Sequence, residues 1–416
     1  MTSIVNYNFS AVMRMSVISR LWPIARRRIC NALVAFIQRV FSEECLIKDV
    51  FRTRREKRVL LCHLPEAFGC SKLPKYHSNL TECYTIAKCF DRLGYSVDCT
   101  SRANVGIDYS PYDVVCGING NAFMGAFSLD NRTAPLKIFY SVGAETCYNY
   151  RQTVARNMGF YRRHGLWMLG SNRYLPGDPR NYYEARFSDA VICLGDSHVL
   201  QQFLMEDEVH GKYRQLSAFY FPVVESAGEK NFDVCRRNIL WFGSSGMLHK
   251  GLDIAIDFVV SHPEFTLHIC GGSRQESAFW KYYRPVIDSH DNIVMHGFVD
   301  IESKEYATIL SQCGVLLNPS VSEGGAVAVL NVLGNSPLLP VYSKGTGLDL
   351  SSVGVEIDSV DYGNFEDALL AVDAMPLAEF GEKARAAHNL VKYKYTLAKY
   401  EESMFNHLKE IIEKRR

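Results

Sequence analysis

Residues 239–251 read ILWFGSSGMLHKG, and LDIAIDFVV follows. Ile239–Phe242 is a continuous apolar run of the kind that a strand buried on both faces presents, and Gly251–Val260 has the pattern of a buried helix after it. Between the two, Gly243 and Gly246 permit a sharp turn and a close backbone approach to a ligand, while Lys250 enters the helix where it can meet a negative charge. The GK[ST] spacing of a P-loop is missing. Taken singly, the segment also reads as a plain glycine turn followed by a solvated lysine.

The same grammar extends in both directions. Toward the carboxyl end, Thr266–Cys270, Ile293–Met295 and Val315–Leu317 are predicted strands, with weaker ones at Leu338–Tyr342 and Val353–Ile357 and helices at Lys304–Ser311 and Ala326–Leu333. Toward the amino end, Val59–Cys62, Tyr95–Cys99, Val114–Gly117, Ile138–Tyr140 and Ala190–Leu194 are predicted strands, with helices at Asn79–Leu93, Tyr150–His164 and Ser197–Met205. Alternation of this kind predicts an α/β protein with parallel sheets covered by helices. A polar stretch, Glu225–Asn231, separates the halves. The expected architecture is two doubly wound, Rossmann-like domains facing a cleft, residues 58–224 and 231–390, with a terminal helix at 391–416 packing back across the hinge.

Composition narrows the function classes. The 416 residues suit two to three domains, and 47% hydrophobic with 22% charged residues excludes a disordered chain. With 46 basic residues against 45 acidic ones, no whole-protein field collects nucleic acid. The 13 cysteines are odd in number, lack a CxxC pair, and mostly sit in apolar runs, as Cys62, Cys116, Cys193 and Cys270 do. They read as reduced core thiols of a cytoplasmic protein.

Residues 1–57 form an extension of different character. As far as Phe41 there are six arginines (14, 20, 26, 27, 28 and 39) and no acidic residue. These arginines interrupt any signal peptide, and the apolar run Ile29–Ile37 is about half of the roughly 20 residues a spanning helix needs. A helix from Pro23 to about Phe41 would gather Arg27, Arg28, Asn31, Gln38 and Arg39 on one face. Such a helix suits peripheral contact with an anionic membrane at its inner face, and equally a helix packed on the protein's own core.

Two more signals lie at carboxyl ends of predicted strands in the second half. NPSVSEGGAVAVLNVLG, residues 318–334, places Gly324 and Gly325 at the opening of a helix of small residues, where unobstructed amides and the positive helix end suit an anion. Glu323 at that mouth is either a helix cap or an acceptor for ligand hydroxyls. VMHGFVD, residues 294–300, ends a strand in Gly297 and Phe298, a floor for a base ring, with His296 as a strand residue.

With these motifs in this order, residues 231–375 resemble the nucleotide-sugar domain of GT-B glycosyltransferases, in particular retaining family 4. GSSGMLHKG matches the family's phosphate turn, HGFVD its base-binding turn, and SEGG the first half of its EX7E motif. The resemblance implies that Lys250 contacts the donor diphosphate and Glu323 the donor sugar, the two acting as catalytic residues. It also implies donor-binding roles for Gly243, Ser244, Gly246, Gly297, Phe298, Ser322, Gly324, Gly325, Ala326 and, at the ribose, Asn331. Two positions depart from the pattern. Ser244 stands where the family usually has an arginine, and Asn331 stands where the second glutamate of the motif would meet the ribose.

The expected function is transfer of a sugar from a nucleoside diphosphate sugar to a glycan or lipid-linked acceptor in polysaccharide or glycoconjugate synthesis. Retention is expected, with no cofactor and no metal, since no DxD lies on a cleft loop. An inverting enzyme would need a general base in the first domain, where Glu66 and Glu145 follow predicted strands. A non-catalytic GT-B scaffold and a GT-B nucleotide-sugar epimerase are the rival readings. There is no GxSxG elbow, HExxH or zinc-spaced Cys/His cluster.

Overall fold

A computed structural model of the chain describes residues 46–129, 134–168, 173, 180–223, 230–272 and 275–415. The basic segment ending at Phe41, and with it the expected membrane contact, lies outside the described residues, as does most of the expected linker. Among the described residues, no helix is long and apolar enough to cross a membrane. All eleven described cysteines are free thiols.

The first sheet contains β1 (Leu46–Ile47), β2 (Arg58–His63), β3 (Ser96–Ser101), β4 (Val114–Gly117), β5 (Leu136–Ser141), β6 (Ala190–Leu194) and β7 (Tyr213–Leu216), in the order β1-β3-β2-β4-β5-β6-β7. The second contains β8 (Asn238–Gly243), β9 (Thr266–Gly271), β10 (Ile293–Gly297), β11 (Val315–Asn318), β12 (Leu339–Ser343) and β13 (Val355–Ile357), in the order β10-β9-β8-β11-β12-β13. Every pairing is parallel except β1 with β3. Helices cover both faces, so Val59, Leu60, Leu61 and Cys62 are all 0% exposed and the strand reads as one apolar run rather than an alternation.

Counted from β8, the second sheet runs 3-2-1-4-5-6, so its direction of winding reverses between β8 and β11. The carboxyl ends of those two strands lead into the turn 243–251 and the loop 318–326. A crevice at such a reversal is where doubly wound sheets bind ligands.

Three boundaries differ from the sequence reading. The chain joins the first sheet at Leu46 rather than Arg58, because the Asp49 carboxylate accepts the amides of Thr53 (3.0 Å) and Arg54 (2.8 Å) while the Asp49 amide donates to Asp98 Oδ1 (2.8 Å). The expected terminal helix begins at Leu397 and runs to Lys414, capped by Thr396 through the Lys399 amide, and residues 391–394 belong to the preceding helix, Leu377–Lys394. Helices Arg180–Phe187, Ser277–Asp288 and Tyr362–Ala374 add to the expected set, the middle one holding Pro285 inside it.

Several elements knit the halves together. Helix Leu397–Lys414 returns to the first domain, where Glu401 pairs with Lys88 (3.0 Å) and Arg92 (3.1 Å) and the Tyr400 hydroxyl meets that of Tyr140 (3.0 Å). Helix Thr146–His164 follows β5, yet its Phe160 is buried in the core of the second half, its ring edge-on to Tyr282 at 5.9 Å and Tyr283 at 6.3 Å. Arg163 of the same helix pairs with Asp253 and Asp257, and His164 lies 2.9 Å from Asp257. On the opposite rim, Lys72 and Lys75 reach Glu302 (3.5 and 3.3 Å), and the Tyr76 ring meets Phe298 edge-on at 6.1 Å.

Candidate active site

The glycine turn is built around a buried carboxylate. Glu276, 0% exposed, accepts the amide of Gly246 and, at 3.0 Å, that of Met247. These amides would otherwise be the turn's offer to an anion, so what remains for a phosphate is largely side-chain charge. Gly246 itself has φ +83°, which suits glycine. The turn then closes a helical loop, with the Lys250 amide donating to Gly246 O at 2.7 Å, and this aims the Lys250 side chain across to β11.

Lys250 meets Glu323 there. Its Nζ lies 3.1 Å from Glu323 Oε1, and the same oxygen receives Arg173 at 2.9 Å and the Ser320 hydroxyl at 3.0 Å. Burial pushes the Glu323 carboxyl upward, but Arg173, then Lys250 and His249, outweigh it and hold the group far below the usual carboxylate range. Glu323 is therefore an anion throughout the neutral range. His249 is 4% exposed and donates from Nε2 to Ser322 O at 2.8 Å. Burial first, then Arg173, lowers its pKa to about 3, so it is neutral and its Nδ1 is an acceptor with no partner among the described residues.

Of these groups, Glu323, Arg173 and His249 line a cavity of about 320 Å³ between the domains. Ser322, Glu323, Gly324, His249 and Arg173 face the loop after β5, Ser141–Ala144, with Asn119, Asn149 and Asn181 around it. A wall of amides, a hydroxyl and one carboxylate suits a polyhydroxylated ligand more than an apolar one. The double glycine permits the domains to approach this closely: a Cβ on Gly324 would lie 2.5 Å from Val142 O, across the seam.

The candidate residues do not all gather here. Glu323, Ser322 and Gly324 do, and Lys250 joins them through its pairing with Glu323. Ser244 is exposed on the turn beside Gly243, and Ala326 is the first residue before helix Val327–Asn335, its amide near Thr346 O at 3.4 Å. Gly325 (φ +65°) backs onto Gly195 and Ala218. Gly297 and the half-exposed Phe298 end β10, where Phe298 packs on Tyr76, while His296 Nε2 lies 3.1 Å from His268 Nδ1.

Asn331 is elsewhere, and its expected ribose contact is corrected. It is 5% exposed, and its Oδ1 accepts the Phe221 amide at 2.8 Å where the chain crosses between domains. Asn335 does the same for the Val223 amide and donates to Phe221 O, both at 2.8 Å. The two first-domain acids are also outside the cavity wall. Glu145 caps helix Thr146–His164 through the Tyr148 amide at 2.9 Å, and Glu66 lies in the turn Pro65–Phe68 with a buried oxygen that has no partner among the described residues. Glu145, Cys147 and Glu206 bring ligand atoms within 4.8 Å of one another, but Glu145 is held by its cap and Glu206 pairs with Arg151 at 2.9 Å.

Three residues of the site carry no motif signal: Arg173, which is distant in sequence; His249, read only as part of the turn; and Glu276, whose role is to fill the turn from behind.

By sequence, no protein-family profile and no curated protein matches the chain. Solved structures do. Sucrose-phosphate synthase from Thermosynechococcus elongatus superposes at TM-score 0.59 and 12% identity, over 86% of this chain and 100% of that one. Anabaena HepE, solved with UDP and glucose, gives 0.56 and 10% over 85% and 99%; a glycosyltransferase from Rickettsia africae gives 0.54 and 11% over 86% and 99%. Of a S. aureus TarM chain, matched at TM-score 0.49, this chain spans only 56%. Two parallel-dominated sheets wound on both faces and joined across a cleft, shared with these enzymes over nearly their full lengths, are the GT-B fold, and this chain has it.

Proposed function

We propose that the chain is a glycosyltransferase that moves a sugar from a nucleoside diphosphate donor to a glycan or lipid-linked acceptor, with retention and without a metal. The observation that carries this reading is Glu323 in the wall of an interdomain cavity at the winding reversal of a GT-B sheet, with Lys250 paired to it at 3.1 Å. When the bond from sugar to diphosphate breaks, negative charge grows on the leaving phosphate and positive charge on the anomeric carbon. The Lys250 ammonium, 14% exposed and thus weakly screened, lowers the energy of the first; the ionised Glu323 favours the second and accepts sugar hydroxyls. The basic residues up to Phe41 fit a contact with an anionic membrane at its cytoplasmic face, to be tested by deleting residues 1–41 and measuring vesicle binding.

The test is thermal stabilisation of the full chain by UDP, GDP, ADP, CMP and their sugars, followed by release of free nucleotide from whichever donor binds. UDP-glucose comes first, since HepE was solved with it. No stabilisation and no release would overturn the reading. A second reading, a GT-B scaffold that binds without turnover, is favoured by Asn331 and Glu276, which are both committed to internal hydrogen bonds. Stabilisation by a donor with no release would select it.

A further inference from the structure

We propose that Arg173, carried by the first domain, is the second diphosphate-binding cation of this site and replaces the arginine that position 244 lacks. The proposal rests on the donor-binding reading above. Three observations carry it. Arg173 Nη1 lies 2.9 Å from Glu323 Oε1, the oxygen that Lys250 also holds. The Arg173 stem lies over the phosphate turn, since a Cβ on Gly246 would sit 3.1 Å from its Cδ. Arg173 also lines the cavity, with its side chain 46% exposed.

Charge accounting gives the reason. Glu323 can balance one of the two cations on its oxygen, so the cluster keeps a net positive charge, and Arg173 is its cation in the cavity wall. The amides of Gly246 and Met247 are committed to Glu276, and Ser244 brings no charge. Among the cations described at this cluster, a nucleoside diphosphate arriving with two to three negative charges would otherwise meet only Lys250. With the ligand in place, Arg173 can turn its fork from the single carboxylate oxygen to two phosphate oxygens, a geometry that guanidinium holds and ammonium does not, while Lys250 and Ser320 keep Glu323 in position. Because Arg173 belongs to the first domain, the donor's phosphates would then be gripped from both walls of the cleft.

The experiment is calorimetric titration of UDP, GDP and ADP into the full chain and into Arg173→Ala, Lys250→Ala and Arg173→Ala/Ser244→Arg. Losing a charge-assisted contact should weaken the nucleotide that binds by roughly tenfold or more in Arg173→Ala, with the free protein still folded. Ser244→Arg should restore most of that loss, since it returns a guanidinium to the turn from the other side. If Arg173→Ala binds like wild type while Lys250→Ala is weakened, the donor site stands and the proposal falls. A loss that Ser244→Arg leaves unrepaired also overturns it, because Arg173 would then act by holding Glu323 and not by supplying charge. If wild type binds none of the three nucleotides, the donor reading and this proposal fall together.

Discussion

The side chain of Asn331 accepts the backbone amide of Phe221 at 2.8 Å, so the eighth residue after Glu323 fastens the crossover between the domains. Phe221 is 6% exposed and its amide has no water to turn to. Asn331→Ala should therefore destabilise the protein by about 1–3 kcal/mol, the cost of a buried unsatisfied donor, and leave nucleotide affinity unchanged. Denaturant midpoints and calorimetry on the same variant check both halves. A change in nucleotide affinity at unaltered stability would return Asn331 to the ligand.

Lys250→Ala should abolish most transfer with little effect on folding. One charge-assisted contact in a poorly hydrated site is worth roughly 2–4 kcal/mol in the barrier, or about 30- to 1000-fold in rate. Since lysine meets the leaving group's charge, wild-type activity should survive EDTA. Initial rates of nucleotide release, with and without chelator, are the measurement; wild-type rates in the variant, or complete loss on chelation restored by magnesium, contradict it.

Gly324→Ala tests the seam. The added methyl would meet Val142 O at 2.5 Å and Gly143 Cα at 2.9 Å, both rigid backbone atoms, so the domains must separate. Overpacking of this kind costs about 1–3 kcal/mol, and here it should also lower transfer, because it widens the cavity between Glu323 and the β5 loop. Unchanged melting and turnover would show that the seam yields freely.

A pH dependence follows from Glu82, buried under the terminal helix with Tyr140 donating to it at 2.9 Å. Burial pushes its carboxyl up to about 7, against the opposing hydrogen bonds from Tyr140 and Ser78. Between the unfolded value and 7 the folded state holds a proton that the unfolded chain has released, so stability falls as pH rises through that window and levels off above it. The span corresponds to on the order of 3 kcal/mol. Glu82→Gln, which cannot ionise, should gain on wild type as pH goes from 5 to 8; a constant difference at both values rules the assignment out.

Most strands were legible because a parallel strand covered on both faces must be apolar along its whole length, as Val59–Cys62 and Val315–Leu317 are. Lys250 and Glu323 stood out because each lies in the segment that joins a strand at the reversal of winding to the helix after it. What escaped was set by contacts distant in the chain. Nothing local marks Arg173 as facing Glu323, 150 residues away, or Glu276 as filling a turn 30 residues before it. Asn331 looked like a degraded ligand contact because spacing along a helix says where a side chain sits and not what the opposite domain places against it. The two-residue strand at Leu46–Ile47 is shorter than any period that alternation can establish.

Helix Thr146–His164 bears on how the molecule melts. Its chain position assigns it to the amino-terminal sheet, while Phe160 and the ion pairs of Arg163 assign it to the carboxyl-terminal core. Neither half can complete its interior without the other, so the unit of cooperative unfolding is the whole described chain. Heating should give a single calorimetric transition whose van't Hoff and calorimetric enthalpies agree, and cutting the chain between residues 224 and 229 should leave two fragments that stay associated and lose their protection from hydrogen exchange together.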